Sequence, residues 1–174
     1  MGASCSSKVS PEERAEMKSL GIKTKAEYDA FKASPDYEEC KRLGIKTKAE
    51  YGAFKASPDY EEVKREMKSL GIKTKAKYDA FKASPDYDDC KRLGIATKAE
   101  YDIFKSIPDY QRCKDMGFPT KAEYYECKRL TGGGGEGASI PDKAAFDAFK
   151  ASAAYEEMIR LGIKKKPDYD CLLY

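Results

Sequence analysis

The apolar positions of this chain recur in short helical stripes. In the stretch from Leu20 to Arg42, LGIKTKAEYDAFKASPDYEECKR, Tyr28 and Phe31 lie three apart, with Ala26 and Ala30 beside them. Tyr37, Cys40 and Leu43 then step by three, so each run has one inward face at helical spacing. Thr24 stands at a helix N-cap position with Glu27 three residues on, the pattern of a capping box. Ser34 and Pro35 restart the pattern: serine is expected to cap the second helix, and proline is tolerated at its first position because its missing N–H has no intrahelical partner there. Gly44 stands where a helix ends in the left-handed conformation, and Ile45 follows to pack back on the last turn. The stretch therefore predicts a hairpin of two helices. Neither is long enough to persist alone in water, so stacking must stabilise them.

The same stretch returns with few changes from Leu43, Leu70 and Leu93. Met17 to Cys40 matches Met67 to Cys90 with three changes, Glu27 to Lys77, Glu38 to Asp88 and Glu39 to Asp89. The predicted fold class is all-α: tandem short helical hairpins in 23-residue repeats, nested in a 50-residue super-repeat and stacked as an α-solenoid-like array. Helices are expected near 11–20, 25–33, 35–43, 48–56, 58–70, 75–83, 85–93, 98–106, 108–116 and 121–130. Between Val63 and Leu70 the second helix gains four residues, and Met67 falls one turn after Val63, so the apolar stripe keeps its phase. Val63 is read as the counterpart of Cys40.

Four regions follow: a tail at 1–9, the repeat array at 10–130, a glycine-rich linker or loop at 131–140, and a C-terminal capping repeat at 141–174. Within the last, Ala153 and Ala154 replace the usual Ser-Pro region, which predicts one continuous helix over 142–161 with Ser152 as the residue able to break it. The closing PDYDCLLY reads as a clipped second helix in which Cys171 packs inward.

Charge narrows the function. The 33 basic and 30 acidic residues are interleaved, so the net +3 produces no steering field for nucleic acid. No apolar run reaches the roughly eighteen residues that a membrane-spanning helix needs. The N-terminal MGASCSSK instead fits the pattern for myristoylation at Gly2, with Cys5 placed for palmitoylation. These two lipid attachment sites would put the protein on the cytoplasmic face of a eukaryotic membrane, or in the cytoplasm if it is not acylated.

The chemistry-bearing residues are mostly absorbed by the repeat. There is no histidine, which removes the commonest general base and imidazole metal sites. Cys40, Cys90 and Cys113 read as core positions, since Val63 and Met158 replace them in sister repeats. The acids at the start of each second helix read as complements of the helix dipole, and the tyrosines as core. No enzyme, catalytic residue, metal or cofactor is expected. The expected function is a membrane-tethered structural or adaptor protein that binds protein partners, such as a periodic cortical or flagellar skeleton, through its helical surface. The alternative is a nucleic-acid-binding array using the recurring lysines Lys23, Lys25, Lys46, Lys48, Lys73 and Lys75.

Overall fold

A computed structural model of the chain describes residues 9–132 and 141–172, and these divide into two compact units with the boundary between Ser84 and Pro85. All regular structure among the described residues is helical. The first unit holds α1 (Pro11–Leu20), α2 (Lys25–Lys32), α3 (Pro35–Leu43), α4 (Lys48–Lys55), α5 (Tyr60–Ser69) and α6 (Lys75–Lys82). The second holds α7 (Pro85–Arg92), α8 (Lys98–Lys105), α9 (Pro108–Asp115), α10 (Lys121–Leu130), α11 (Lys143–Lys150), α12 (Ala153–Arg160) and α13 (Lys166–Asp170). Every helix expected before residue 131 is present, with ends shifted by at most two residues. None of these helices is long and apolar enough to cross a membrane.

Local chemistry sets the boundaries in the first unit. Ser10 and Glu13 cap α1 reciprocally at 3.0 and 3.1 Å, and Thr47 and Glu50 do the same for α4. Ser34, expected to cap α3, instead donates its hydroxyl to the Phe31 carbonyl at 2.6 Å, satisfying the end of α2. Pro35 holds Ser34 extended (φ −90°, ψ 151°). The proline rather than the serine side chain thus separates the two helices. At the other end of each hairpin Gly44 takes φ +66°, Gly44 N–H bonds Lys41 O, and Ile45 N–H returns to Cys40 O at 3.1 Å. The same bonds recur at Gly21 and Gly71, a Schellman closure whose left-handed residue favours glycine.

That closure corrects the register read from the sequence. Ile72 N–H returns to Met67 O at 2.8 Å, and Met67 is buried while Val63 is half-buried. Met67, not Val63, is therefore the counterpart of Cys40. The four added residues lengthen the helix by a turn before its end, and the closing glycine carries the buried position along with it. Cys40, Cys90 and Cys113 are buried free thiols, as expected, and each thiol points to the carbonyl of the residue after the glycine, at 3.4 Å for Cys40 and Ile45.

In the second unit the expected long helix over 142–161 is two helices. Ser152 is extended (φ −85°, ψ 152°), accepts from Tyr155 N–H at 3.3 Å and donates to Phe149 O at 2.7 Å. Phe149 and Tyr155 meet edge to face at 5.4 Å, the contact that Phe31 and Tyr37 make at 5.8 Å and Phe104 and Tyr110 at 5.9 Å. Such pairs add about 0.5–1.5 kcal/mol beyond burial, and only a folded hairpin can make them. Packing overrides the helix propensity of Ala153 and Ala154. The closing segment is also corrected: Tyr169 reaches Glu157 twelve residues back at 2.8 Å, the spacing of Tyr28 and Glu16, so α13 is a truncated first helix. Cys171 is consequently exposed rather than packed.

Successive hairpins are joined through carboxylates. Glu16 on α1 accepts the hydroxyls of Tyr28 at 2.5 Å and Tyr37 at 2.6 Å and pairs with Lys41 at 2.9 Å. Glu39 on α3 repeats this with Tyr51 and Tyr60, both at 2.7 Å, and Lys64 at 2.8 Å. In the second unit Asp89 receives Tyr101 at 3.3 Å, Tyr110 at 2.5 Å and Lys114 at 3.8 Å. Arg112 stands where the next acid would be, and Tyr124 turns instead to Asp109 at 2.9 Å. Each node ties the second helix of one hairpin to both helices of the following one.

Two tests follow from these contacts. The tyrosine bonds, from Tyr28 first and then Tyr37, together with Lys41, hold the Glu16 carboxyl at about 2, below its ordinary 4.5. Burial pushes Glu39 up, but bonds from Lys64, Tyr60 and Tyr51 outweigh it and hold it at about 2. Groups depressed in the folded state contribute stability that is present above about 4.5 and lost as pH falls through about 2. Urea midpoints should therefore be flat from neutral pH to about 5 and drop below about 4.5. Glu39→Gln should cost about 2 kcal/mol at pH 7 and shrink that acid drop. For the register, Met67→Ala should cost about 2–5 kcal/mol by calorimetry or urea unfolding, and Val63→Ala about 1 kcal/mol or less.

Candidate functional site

Once the nodes are formed, the tyrosines have little chemistry left to offer. Tyr28, Tyr51, Tyr78, Tyr101 and Tyr124 are the largest fully buried side chains, and each hydroxyl is committed to a carboxylate. Burial, the neighbouring Tyr60 hydroxyl and the Glu39 carboxylate push the Tyr51 phenol well above its ordinary value. The folded chain turns these phenols to carboxylates and not to solvent.

The six lysines singled out in the sequence separate into two groups. Lys25 binds Asp29 at 2.6 Å and Glu13 at 2.8 Å, and those two bonds, Asp29 first, raise its ammonium above the ordinary value. Lys48 bridges back to Glu27 at 2.8 Å and lies over the Phe31 ring at 5.6 Å. Lys75 binds Asp79 at 2.6 Å and lies over Phe54 at 5.2 Å. These three are structural, each starting a first helix and pinning it to a neighbour. Lys23, Lys46 and Lys73 are exposed and pair with no described residue. Sequence spacing could not separate the groups, since both lysines of each turn are polar residues two apart. The acid that engages one of them lies on another turn or another helix.

A feature the sequence reading missed lies in the first unit. The end of α3, the exposed side of α5 and the turn after it enclose a groove of about 680 Å³. Leu43, Met67 and Ile72 form its apolar floor, and Arg42, Lys64, Arg65, Lys68 and Lys73 surround it with Glu61 as the sole acid. A second groove, of about 500 Å³, is balanced, with Lys46 and Lys75 facing Glu50 and Asp79. The signal for the first groove was available in the four residues added to α5, which introduce Lys68 without a matching acid.

The lipid attachment residues Gly2 and Cys5 lie outside the described residues, as does the greater part of the glycine-rich 131–140 stretch. Compared with protein families, characterised proteins and solved structures, the chain matches none, so the functional reading rests on its own residues.

The division of the lysines is testable by charge reversal. Lys48→Glu should place an acid against Glu27 and lower stability by about 1 kcal/mol, the upper range for an exposed pair. Lys46→Glu should leave the urea midpoint unchanged.

Proposed function

We propose that this chain is a membrane-tethered structural or adaptor protein whose helical hairpins, stacked as an α-solenoid-like array, bind protein partners through their repeated outer surface. The observation that carries this reading is the recurrence of one node, an acid with tyrosines twelve and twenty-one residues later, at Glu16, Glu39 and Asp89. A repeated internal joint supports a repeated external surface, and identical surfaces suit periodic partners because several weak contacts act together. The stacking reading draws further support from turns that touch within each unit. A Cβ on Gly44 would lie 3.1 Å from Thr74, and one on Gly132 the same distance from Pro167.

The tether is carried by Gly2 and Cys5. A single myristoyl chain binds a bilayer only marginally, at about 10⁴ M⁻¹, so a stable anchor needs the second chain at Cys5. The cytoplasmic face of a eukaryotic membrane is the compartment that fits both modifications. The nucleic-acid reading is the weaker one, because Lys25, Lys48 and Lys75 are already held by acids and aromatic rings. Its signature would be binding that falls steeply with salt, whereas acyl-chain attachment is insensitive to salt.

Fractionation of eukaryotic cells tests the tether. Gly2→Ala should release the protein to the soluble fraction, and Cys5→Ser should leave it only transiently bound. Gly2→Ala remaining in the membrane pellet as fully as wild type would remove the membrane half of the proposal. Proximity labelling from the wild-type protein should return membrane-associated structural proteins, and a set dominated by nucleic-acid-binding proteins would favour the alternative.

A further inference from the structure

We infer that the groove between α3 and α5 is a docking site for an acidic segment of a protein partner, with carboxylates interleaved among apolar side chains. The inference rests on the proposal that the repeats bind proteins, and names one place and one chemistry for it.

Arginine elsewhere in the chain follows a pairing rule. Counted from the first tyrosine of each second helix, the arginine five residues on is answered by the acid three residues before it: Arg42 by Glu39 at 3.2 Å, Arg92 by Asp89 at 2.7 Å and Arg160 by Glu157 at 3.3 Å. Arg65 stands three after Glu62, yet it pairs with no described residue and is exposed. Lys68 lies outside a second rule. The lysine four residues after that tyrosine pairs with the carboxylate twenty-five residues back, as Lys41 does with Glu16, Lys64 with Glu39 and Lys114 with Asp89. Lys68, one turn beyond Lys64 on α5, is exposed and pairs with no described residue. The added turn therefore preserves the core while leaving Arg65 and Lys68 as surplus charge.

Lys73, exposed on the turn after α5, closes the same groove. Three cations without a described acidic partner thus converge on an apolar floor, with Glu61 beside them at 3.8 Å from Lys64. Like charges gathered on one groove repel, and an acidic ligand relieves the repulsion. A groove with an apolar base and a cationic rim fits a peptide presenting both acids and aliphatic side chains. A flat lipid surface would meet the rim but leave the base empty. The balanced groove at Lys46 and Glu50 has no such surplus and serves as an internal control.

The test uses the full chain, purified without acylation, and a fluorescein-labelled peptide of repeating Glu-Glu-Leu. Its anisotropy should rise with protein and the affinity should fall with salt, while a repeating Gln-Gln-Leu peptide should bind far less. Arg65→Glu combined with Lys68→Glu should weaken the acidic peptide about tenfold or more, equivalent to about 1.4 kcal/mol. Both side chains are exposed, so the circular dichroism should be unchanged, and Arg65→Gln with Lys68→Gln replaces the pair should charge reversal unfold the chain. Lys46→Glu, in the balanced groove, should leave affinity within about twofold. Absence of peptide binding, or equal binding by the double variant, would overturn the inference. So would co-sedimentation with phosphatidylserine vesicles that requires Arg65 and Lys68 while the peptide fails to bind. Partners recovered by proximity labelling that do not need Arg65 and Lys68 would leave the adaptor reading standing and remove this site alone.

Discussion

A carboxylate that accepts two tyrosine hydroxyls and one ammonium is the joint on which the rest of this structure depends. Helices of five to ten residues are below the length that persists in water, so each must be held by its neighbours. Apolar burial alone would hold them loosely, because each hairpin contributes few large side chains. Glu16, Glu39 and Asp89 add direction: the phenols that fill the core also have to end on one carboxylate, which fixes the angle and height of the next hairpin. The tyrosine hydroxyls and the lysine together keep the Glu16 and Glu39 carboxyls ionised. Where Arg112 replaces the acid, Tyr124 moves to Asp109, and the joint survives with a different geometry.

The same economy explains how the chain tolerates an added turn. Four residues in α5 advance the helix by a little over one turn, so the buried stripe and the closing glycine stay in phase and Met67, Leu70 and Ile72 take up the positions of Cys40, Leu43 and Ile45. The node acid keeps phase too, since Glu66 precedes Met67 and receives Tyr78, but the basic residues do not. Lys64 remains with Glu39, while Arg65 and Lys68 fall outside the pairing scheme. A core-neutral insertion thus changes only the surface, and in a repeat protein it is such departures that distinguish one binding surface from the next.

Seen this way, the proposed adaptor function and the groove have complementary sources. The regular nodes supply a scaffold whose outer face repeats, suited to periodic partners. The turn added to α5 leaves Arg65 and Lys68 without a described acidic partner, suited to a particular ligand. The proposed acylation at Gly2 and Cys5 would add a location.

What the sequence determined by itself was the helical repeat. Threonine and serine before the helices, proline at Pro35 and Pro108, and glycine at Gly21, Gly44 and Gly71 act through their own backbone and nearest neighbours, so the helices could be placed to within two residues. Burial of Cys40, Cys90 and Cys113 was legible for the same reason, as a matter of helical spacing, whereas Cys171 was misplaced with the register of the closing helix. Tertiary structure decided the remainder. The node carboxylates looked like dipole complements because their tyrosine partners lie twelve and twenty-one residues away. Met67 displaced Val63 because register is set at the closing glycine. Ser152 broke a stretch that propensity would have continued, since only a folded hairpin lets Phe149 meet Tyr155. The lysines divided into bound and exposed sets because an ion pair is made between surfaces, and surfaces exist only once the chain has packed.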